Sequence, residues 1–144
     1  MELEAIFSMA GAIAIIGWAA LAALPRNPYA HLLAGIVIPL LLSTGYLFLI
    51  VQNLEGAEGG FGSLAEVAKL FQKPELLLAG WIHYLAFDLF IGAWITRDAQ
   101  RSGLPHLVII PCLIMTLMLG PIGLLFYFAI RTAKIRTLIR LENA

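Results

Sequence analysis

Four long runs of apolar residues dominate the chain and predict four membrane-spanning α-helices. They cover about residues 5–24, 32–51, 76–95 and 107–130. Each is close to the roughly 20 residues that a helix needs to cross a hydrocarbon core of about 30 Å. A membrane β-barrel would show alternating apolar and polar positions, and continuous runs such as residues 47–51 show none. The pattern therefore predicts an all-α integral membrane bundle of four transmembrane helices, folded as a single domain over residues 1–144.

The connection between the second and third runs predicts a further short helix. Ser63 and Glu66 stand three residues apart after a glycine-rich stretch, as in a capping box. Apolar side chains then follow at helical spacing, namely Leu64, Val67, Ala68 and Phe71. The pattern fits a short amphipathic helix at the membrane interface, and it fits an ordinary helical turn in a connecting loop equally well.

Composition supports a membrane protein and narrows the chemistry. Apolar residues make up 61% of the 144 positions and charged residues 12%, whereas a soluble domain carries about a quarter charged residues. The formal net charge is zero, so no basic surface points to nucleic acid. A single cysteine and three histidines give no metal-binding pattern, and phosphate-binding and nucleophile motifs are missing. Without a metal or cofactor, acid–base chemistry or binding of an apolar molecule remains.

The distribution of basic residues predicts the orientation. Four spans would place both termini and the loop over residues 52–75 on one side of the membrane. That side would hold Lys69, Lys73, Arg131, Lys134, Arg136 and Arg140, against Arg26, Arg97 and Arg101 on the other. The positive-inside rule then predicts that both termini are cytoplasmic. The first run is not preceded by Lys or Arg, which argues against a cleaved signal peptide.

Asp88 interrupts the third apolar run and needs a physical explanation. A carboxylate at membrane depth costs roughly 2.5–3.5 kcal/mol on insertion scales, so it usually faces the protein interior. His83 lies near the middle of the same run, about 140° from Asp88 around the helix axis. The two side chains can border one cavity only with the help of neighbouring helices, and they are candidate acid and base. The alternative is a structural role in which Asp88 hydrogen-bonds Tyr46, Ser43 or Thr44 of the second helix.

Further candidate contacts lie on the faces of the third helix and in the loop over residues 96–106. Arg97, Asp98 and His106 lie in that loop, and His31 should lie at the same end of the bundle. We therefore expect the most polar pocket to open there, although Arg97 can equally serve as an interface anchor. The predicted substrate-binding residues are Trp81, Tyr84, Phe87, Trp94, Arg97, Asp98, His106 and His31.

The fourth predicted helix contains a weak point. Pro121 has no backbone N–H, which frees the carbonyl of Leu117 and kinks a helix. Gly120 and Gly123 flank this proline and permit close helix approach or a local break.

Three stretches of the chain resemble the abscisic-acid-deficient-4 family. They are GWIHYLAFDLFIGAWITRDAQ (80–100), GLPH (103–106) and TLMLGPIGLLFYFAIR (116–131). Members of this family are small four-helix membrane proteins required in plants for neoxanthin formation, with bacterial and cyanobacterial relatives. The resemblance implies a carotenoid-linked role. Plant members carry a chloroplast transit peptide that this sequence lacks, which suggests a bacterial-type member in an inner membrane or an equivalent membrane.

The resemblance also implies a reaction class. Conversion of an epoxy-carotenoid to an allenic product requires an acid, a base and no cofactor, so we expect an isomerase acting on a carotenoid end group, with Asp88 and His83 as its central residues. The alternative is a non-catalytic carotenoid-binding or assembly subunit of a membrane complex. A small transporter or proton relay is a third hypothesis. The expected partners are a carotenoid or other apolar polyene and membrane lipid, with a homo-oligomer or a complex partner left open.

Overall fold

The structure is a computed structural model that describes residues 2–135 and contains six helices and no strand over that range. The helices are α1 (Leu3–Ala23), α2 (Pro28–Asn53), α3 (Leu64–Leu70), α4 (Pro74–Arg101), α5 (His106–Leu119) and α6 (Pro121–Ile135). Three of them, α1, α2 and α4, are long and apolar enough to cross a membrane. The all-α prediction is confirmed. Two basic residues used to predict the orientation, Arg136 and Arg140, lie outside the described residues.

Helix α2 begins earlier than predicted and contains a π-helical segment. It starts at Pro28 because the Asn27 side chain accepts a hydrogen bond from the Tyr29 N–H at 2.8 Å. The segment Leu33–Val37 is π-helical and is followed at once by Pro39. The proline ring has no N–H and crowds the carbonyl four residues earlier, and a widened turn relieves both constraints. The effect of Pro39 on the helix is therefore a local π segment.

Helix α4 forms the centre of the bundle and extends beyond its predicted bounds. It contacts α1, α2 and α5 over its length, and Ala79, Leu89 and Ala93 are fully buried within it. The prediction that Arg97 and Asp98 lie in a loop is wrong, because both belong to the last turns of this helix. Hydropathy indicates only the apolar length of a helix, whereas its hydrogen bonding continues into the polar region.

The prediction of one continuous fourth helix over residues 107–130 is also wrong. The chain breaks at Gly120, between α5 and α6. Gly120 has φ +49°, a conformation that L side chains rarely adopt, and Pro121 has no N–H with which to continue the helix. The glycine and proline together turn the chain sharply instead of bending one helix.

Helices α5 and α6 form a hairpin whose two arms run antiparallel beside α4. Near the tip of the hairpin, the Tyr84 hydroxyl donates to the carbonyl of Leu117 at 3.0 Å. At the far end of α6, Arg131 Nε donates to Asp98 Oδ2 at 2.7 Å. Helix α6 therefore follows α4 in the same direction from its middle to its C-terminal end. The hairpin starts and finishes at the same end of the bundle.

The two ends of the described chain lie at opposite ends of the bundle. Leu3 and Glu4 line a cavity together with Pro74, at the start of α4. Lys134 Nζ lies 3.4 Å from the carbonyl of Gly103, beyond the end of α4. The described chain thus begins at one end of the bundle and finishes at the other. The side of the membrane that each terminus faces stays a prediction.

Helix α3 begins as the capping pattern predicts. The Glu66 N–H donates to Ser63 Oγ at 3.2 Å. The Glu66 carboxylate accepts a hydrogen bond from the Gly62 N–H at 3.1 Å instead of returning to Ser63. The Ser63 cap fixes the start of this short helix, and its location at a membrane interface stays a prediction.

Candidate functional site

The candidate site is built around Asp88, near the middle of α4. The side chain is half-buried, and its Oδ2 atom is buried without a hydrogen-bond partner among the residues that the structure describes. The predicted hydrogen bonds from Tyr46, Ser43 or Thr44 are not formed, and the Thr44 hydroxyl donates to the carbonyl of Leu40 instead. A buried polar atom without a partner is costly, so it points to a role beyond packing.

The tip of the α5–α6 hairpin lies against the Asp88 carboxyl group. A Cβ atom built on Gly120 would lie 3.0 Å from Asp88 Oδ1, so a residue with a side chain would crowd the carboxyl group. Tyr84, one turn before Asp88 on α4, donates its hydroxyl proton to the carbonyl of Leu117. This is the carbonyl that Pro121 leaves without a backbone donor. The helix break and the polar residues of α4 thus form one local unit.

An aromatic path leads from one end of the bundle to Asp88. The rings of Phe7 and Trp81 have centroids 5.4 Å apart, and those of Trp81 and Tyr84 are stacked at 5.3 Å. Phe7 and Trp81 are 40% and 41% exposed, and they line a cavity of about 330 Å³ at the start of α4. Because the hairpin turns back at the level of Asp88, neither of its arms covers this part of α4. The path is therefore open to an apolar molecule from the side.

His83 borders a cavity on another face of α4. Its ring stacks on Phe87 with centroids 4.5 Å apart and lies 5.7 Å from the ring of Tyr46, a residue of α2. The exposed His83 and Phe87 line a cavity of about 340 Å³ between α2 and α4. The predicted separation around the helix axis is thus kept in the fold.

Two other predicted contact residues serve to hold the hairpin. Trp94 packs edge-on against Tyr127, with ring centroids 5.9 Å apart. Asp98 accepts hydrogen bonds from the Tyr127 hydroxyl and from Arg131, whose side chain is buried. Sequence reasoning missed Tyr127 and Arg131 because a continuous fourth helix would carry them to the opposite side of the membrane. A buried, hydrogen-bonded ion pair between neighbouring helices fixes their relative position.

The predicted polar pocket exists at the C-terminal end of α4, but Asp88 does not open into it. It is a cavity of about 320 Å³, with Arg26, Gln100 and His106 in its lining. The histidines at this end bind backbone carbonyls: His106 Nε2 lies 2.9 Å from the oxygen of Ala22, and His31 Nε2 lies 2.6 Å from that of Pro25. Both histidines therefore anchor the connection between α1 and α2.

Comparison with known proteins gives one match. The ABA DEFICIENT 4-like family matches residues 5–127, which includes most of α1, all of α2 to α5, the hairpin tip and the Asp88 site. No curated protein and no solved structure matches the chain. Since the match covers most of the sequence, the resemblance noted in the sequence is confirmed, and the chain belongs to the ABA DEFICIENT 4-like family.

Proposed function

We propose that this protein binds a carotenoid within the membrane and rearranges its end group by acid–base chemistry at Asp88. Family membership supports the carotenoid class. The proposal rests mainly on the position of the Asp88 carboxyl group. This group lies at the hairpin tip, and the aromatic path leads to it from the side of the bundle. An intramembrane carboxyl group is a candidate functional group by default.

The reaction that suits this site is the opening of an epoxide to an allene. Asp88 in its acid form donates a proton to the epoxide oxygen, and the bond between that oxygen and the epoxide carbon that bears the polyene chain breaks. The resulting carboxylate removes a proton from the adjoining chain carbon, and the electrons of that C–H bond form the new double bond. Asp88 donates one proton and then takes one back, so it ends in its acid form. The molecular formula of the pigment is unchanged. No redox cofactor takes part in this step.

The polyene would lie along the aromatic path. Trp81 and Phe7 offer flat, partly exposed faces to it, and the Tyr84 ring continues the path to the carboxyl group. His83 and Phe87 lie on another face of α4 and take no part in this proposal. The proposed site thus keeps Asp88, Tyr84 and Trp81 from the residues that the sequence indicates.

Expression in a carotenoid-producing host tests this function. We expect extracts from cells with the protein to contain a pigment that matches a host epoxy-carotenoid in mass and differs from it in retention time. A vector without the gene is the control. If the purified protein carries pigment and the host profile is unchanged, the non-catalytic carotenoid-binding or assembly subunit is correct instead.

We further propose that the membrane contains three spans and a re-entrant hairpin. Of the seven Lys and Arg residues described, Lys69 and Lys73 lie at the N-terminal end of the bundle. The other five lie at the opposite end: Arg26, Arg97, Arg101, Arg131 and Lys134. By the positive-inside rule, this basic end is cytoplasmic and the N-terminus is on the outer side of an inner membrane. The hairpin then enters from the cytoplasm and turns at the depth of Asp88.

Cysteine labelling distinguishes this topology from four spans. In a Cys112→Ala background, which removes the single native cysteine, we expect Arg101→Cys and Lys134→Cys, both at exposed positions, to react with a membrane-impermeant maleimide from the same side. Glu58→Cys, in the loop between α2 and α3, should react from the other side. If Lys134→Cys instead reacts together with Glu58→Cys, α6 crosses the membrane and the hairpin topology is wrong.

A further inference from the structure

A second apolar groove lies between α2 and α4, on the face of α4 that carries His83. One part of the groove is a cavity of about 360 Å³ beside Gly35 and Ile36. The other part is a neighbouring cavity of about 340 Å³ beside His83. The two cavities share Ser43, Ala86 and Phe87, so they form one continuous groove. At one end it is bordered by Tyr46 and His83. The proposed carotenoid reaction at Asp88 does not use it.

The other end of the groove meets the guanidinium group of Arg97. Gly35 lines the groove, and a Cβ atom built on it would lie 3.7 Å from Arg97 Nη1. Arg97 is half-buried, and it has no hydrogen-bond acceptor or ion-pair partner within residues 2–135. The adjacent carboxylate, Asp98, is occupied by Arg131 and Tyr127. Burying a cation without a counter-charge is costly, so an anion bound beside Arg97 would stabilise its guanidinium group.

The π segment of α2 helps to shape the groove. Gly35 and Ile36, both within Leu33–Val37, form part of its wall, and π segments often occur at functional sites. Arg97 and His83 are separated by about 21 Å along α4 at the usual helical rise of 1.5 Å per residue. An occupant that fills the groove therefore has a long apolar chain and an anionic group at one end.

We propose that this groove binds an anionic phospholipid, with its phosphate on Arg97 and one acyl chain between α2 and α4. A guanidinium group matches a phosphate in both charge and hydrogen-bond geometry. The phosphate would lie at the basic end of the bundle, where anionic headgroups are attracted. A neutral polyene would leave the charge of Arg97 unpaired. The occupant is thus a lipid and not the pigment.

Native mass spectrometry of the delipidated full chain tests the proposal. Phosphatidylglycerol and phosphatidylcholine with identical acyl chains serve as the two probes. We expect wild-type protein to prefer phosphatidylglycerol by about fivefold, which corresponds to the roughly 1 kcal/mol that one basic residue contributes near a membrane surface. Arg97→Gln should abolish this preference. Arg26→Gln removes a charge from the same end but outside the groove, and it should keep the preference.

Two groove-filling variants test the apolar part of the site. Ser43→Phe and Ile36→Trp both place a large ring in the groove, and Ile36 is already 47% exposed. Each should lower the binding of both lipids at least fivefold while the elution profile and helical circular dichroism stay unchanged. Two positions are used so that a folding defect in one variant leaves the test intact.

Three results would overturn this proposal. The first is an Arg97→Gln variant that keeps the preference for phosphatidylglycerol. The second is inorganic phosphate at micromolar concentration displacing the lipid, which would indicate a site for a free anion. The third is pigment in the purified protein that is lost on Ser43→Phe, which would assign the groove to the carotenoid. The lipid site and the Asp88 chemistry fail independently, since Arg97→Gln leaves Asp88 and the aromatic path intact.

Discussion

Replacement of Asp88 by asparagine is expected to lower carotenoid conversion at least about 100-fold. Asparagine has nearly the same shape but cannot donate and remove the proton, and positioned acid–base groups typically contribute 10²- to 10⁴-fold to a rate. The measurement is the amount of new pigment per amount of purified membrane protein, by chromatography of host extracts. Binding of pigment to the variant should persist, because the aromatic path of Phe7, Trp81 and Tyr84 is unchanged.

His83→Gln is the matched control, because it changes the second polar residue of the same helix at a similar depth. His83 contacts Phe87 and Tyr46 and lies away from the hairpin tip. Conversion should stay within about threefold of wild type, since substitutions away from a site usually change free energies by about 0.5 kcal/mol or less. Full conversion by Asp88→Asn, or loss of conversion only in His83→Gln, would contradict the assignment of the chemistry.

Gly123→Ala is expected to prevent the hairpin from closing. Gly123 lies in the first turn of α6, and a Cβ atom there would collide with the backbone nitrogen and the side-chain oxygen of Thr116 on α5. Overpacking typically costs 1–3 kcal/mol, and we expect about 3 kcal/mol or more because a backbone atom in a helix cannot move aside. The variant should show a lower thermal midpoint and a large loss of monodisperse protein on size-exclusion chromatography.

Gly45→Ala controls for the general effect of adding a methyl group to a helical glycine. Gly45 lies in α2, and a Cβ atom on it meets no atom within 4 Å. This change should leave the yield unchanged or raise the thermal midpoint slightly, because alanine favours a helix by about 1 kcal/mol over glycine. If both variants behave alike, the close contact between the two hairpin arms is not present.

The sequence predicts the long helices well, because one physical quantity determines them. Runs of about 20 apolar residues identify α1, α2 and α4, and the run length is set by the thickness of the membrane. The ends are predicted less well. Arg97 and Asp98 interrupt the apolar run without interrupting the backbone hydrogen bonding, so α4 continues to Arg101.

The hairpin was not predictable from hydropathy. Residues 107–130 are uniformly apolar, and neither length nor composition shows whether such a segment crosses the membrane or turns back. The local signal was present in Gly120 and Pro121, which indicate a break but not its angle. The direction of α6 depends on long-range contacts, above all the pair formed by Asp98 and Arg131.

The candidate site was predictable in part. The cost of a carboxyl group in an apolar run singles out Asp88, and helical spacing places Tyr84 beside it and His83 elsewhere. The role of His83 as a partner of Asp88 stays a prediction, because helical spacing alone does not show which cavity each side chain borders. Contacts made by the hairpin tip, including that of Tyr84 with the Leu117 carbonyl, depend on the fold of a segment distant in sequence.

The most direct test of the central claim is a reaction with purified protein in lipid vesicles. An epoxy-carotenoid is supplied without any added cofactor, and the pigments are separated by chromatography and identified by mass and absorption spectrum. We predict a product of unchanged mass and different retention time, formed by the wild type and not by Asp88→Asn. Recovery of the pigment unchanged, or a product formed equally by both proteins, would contradict isomerisation at Asp88.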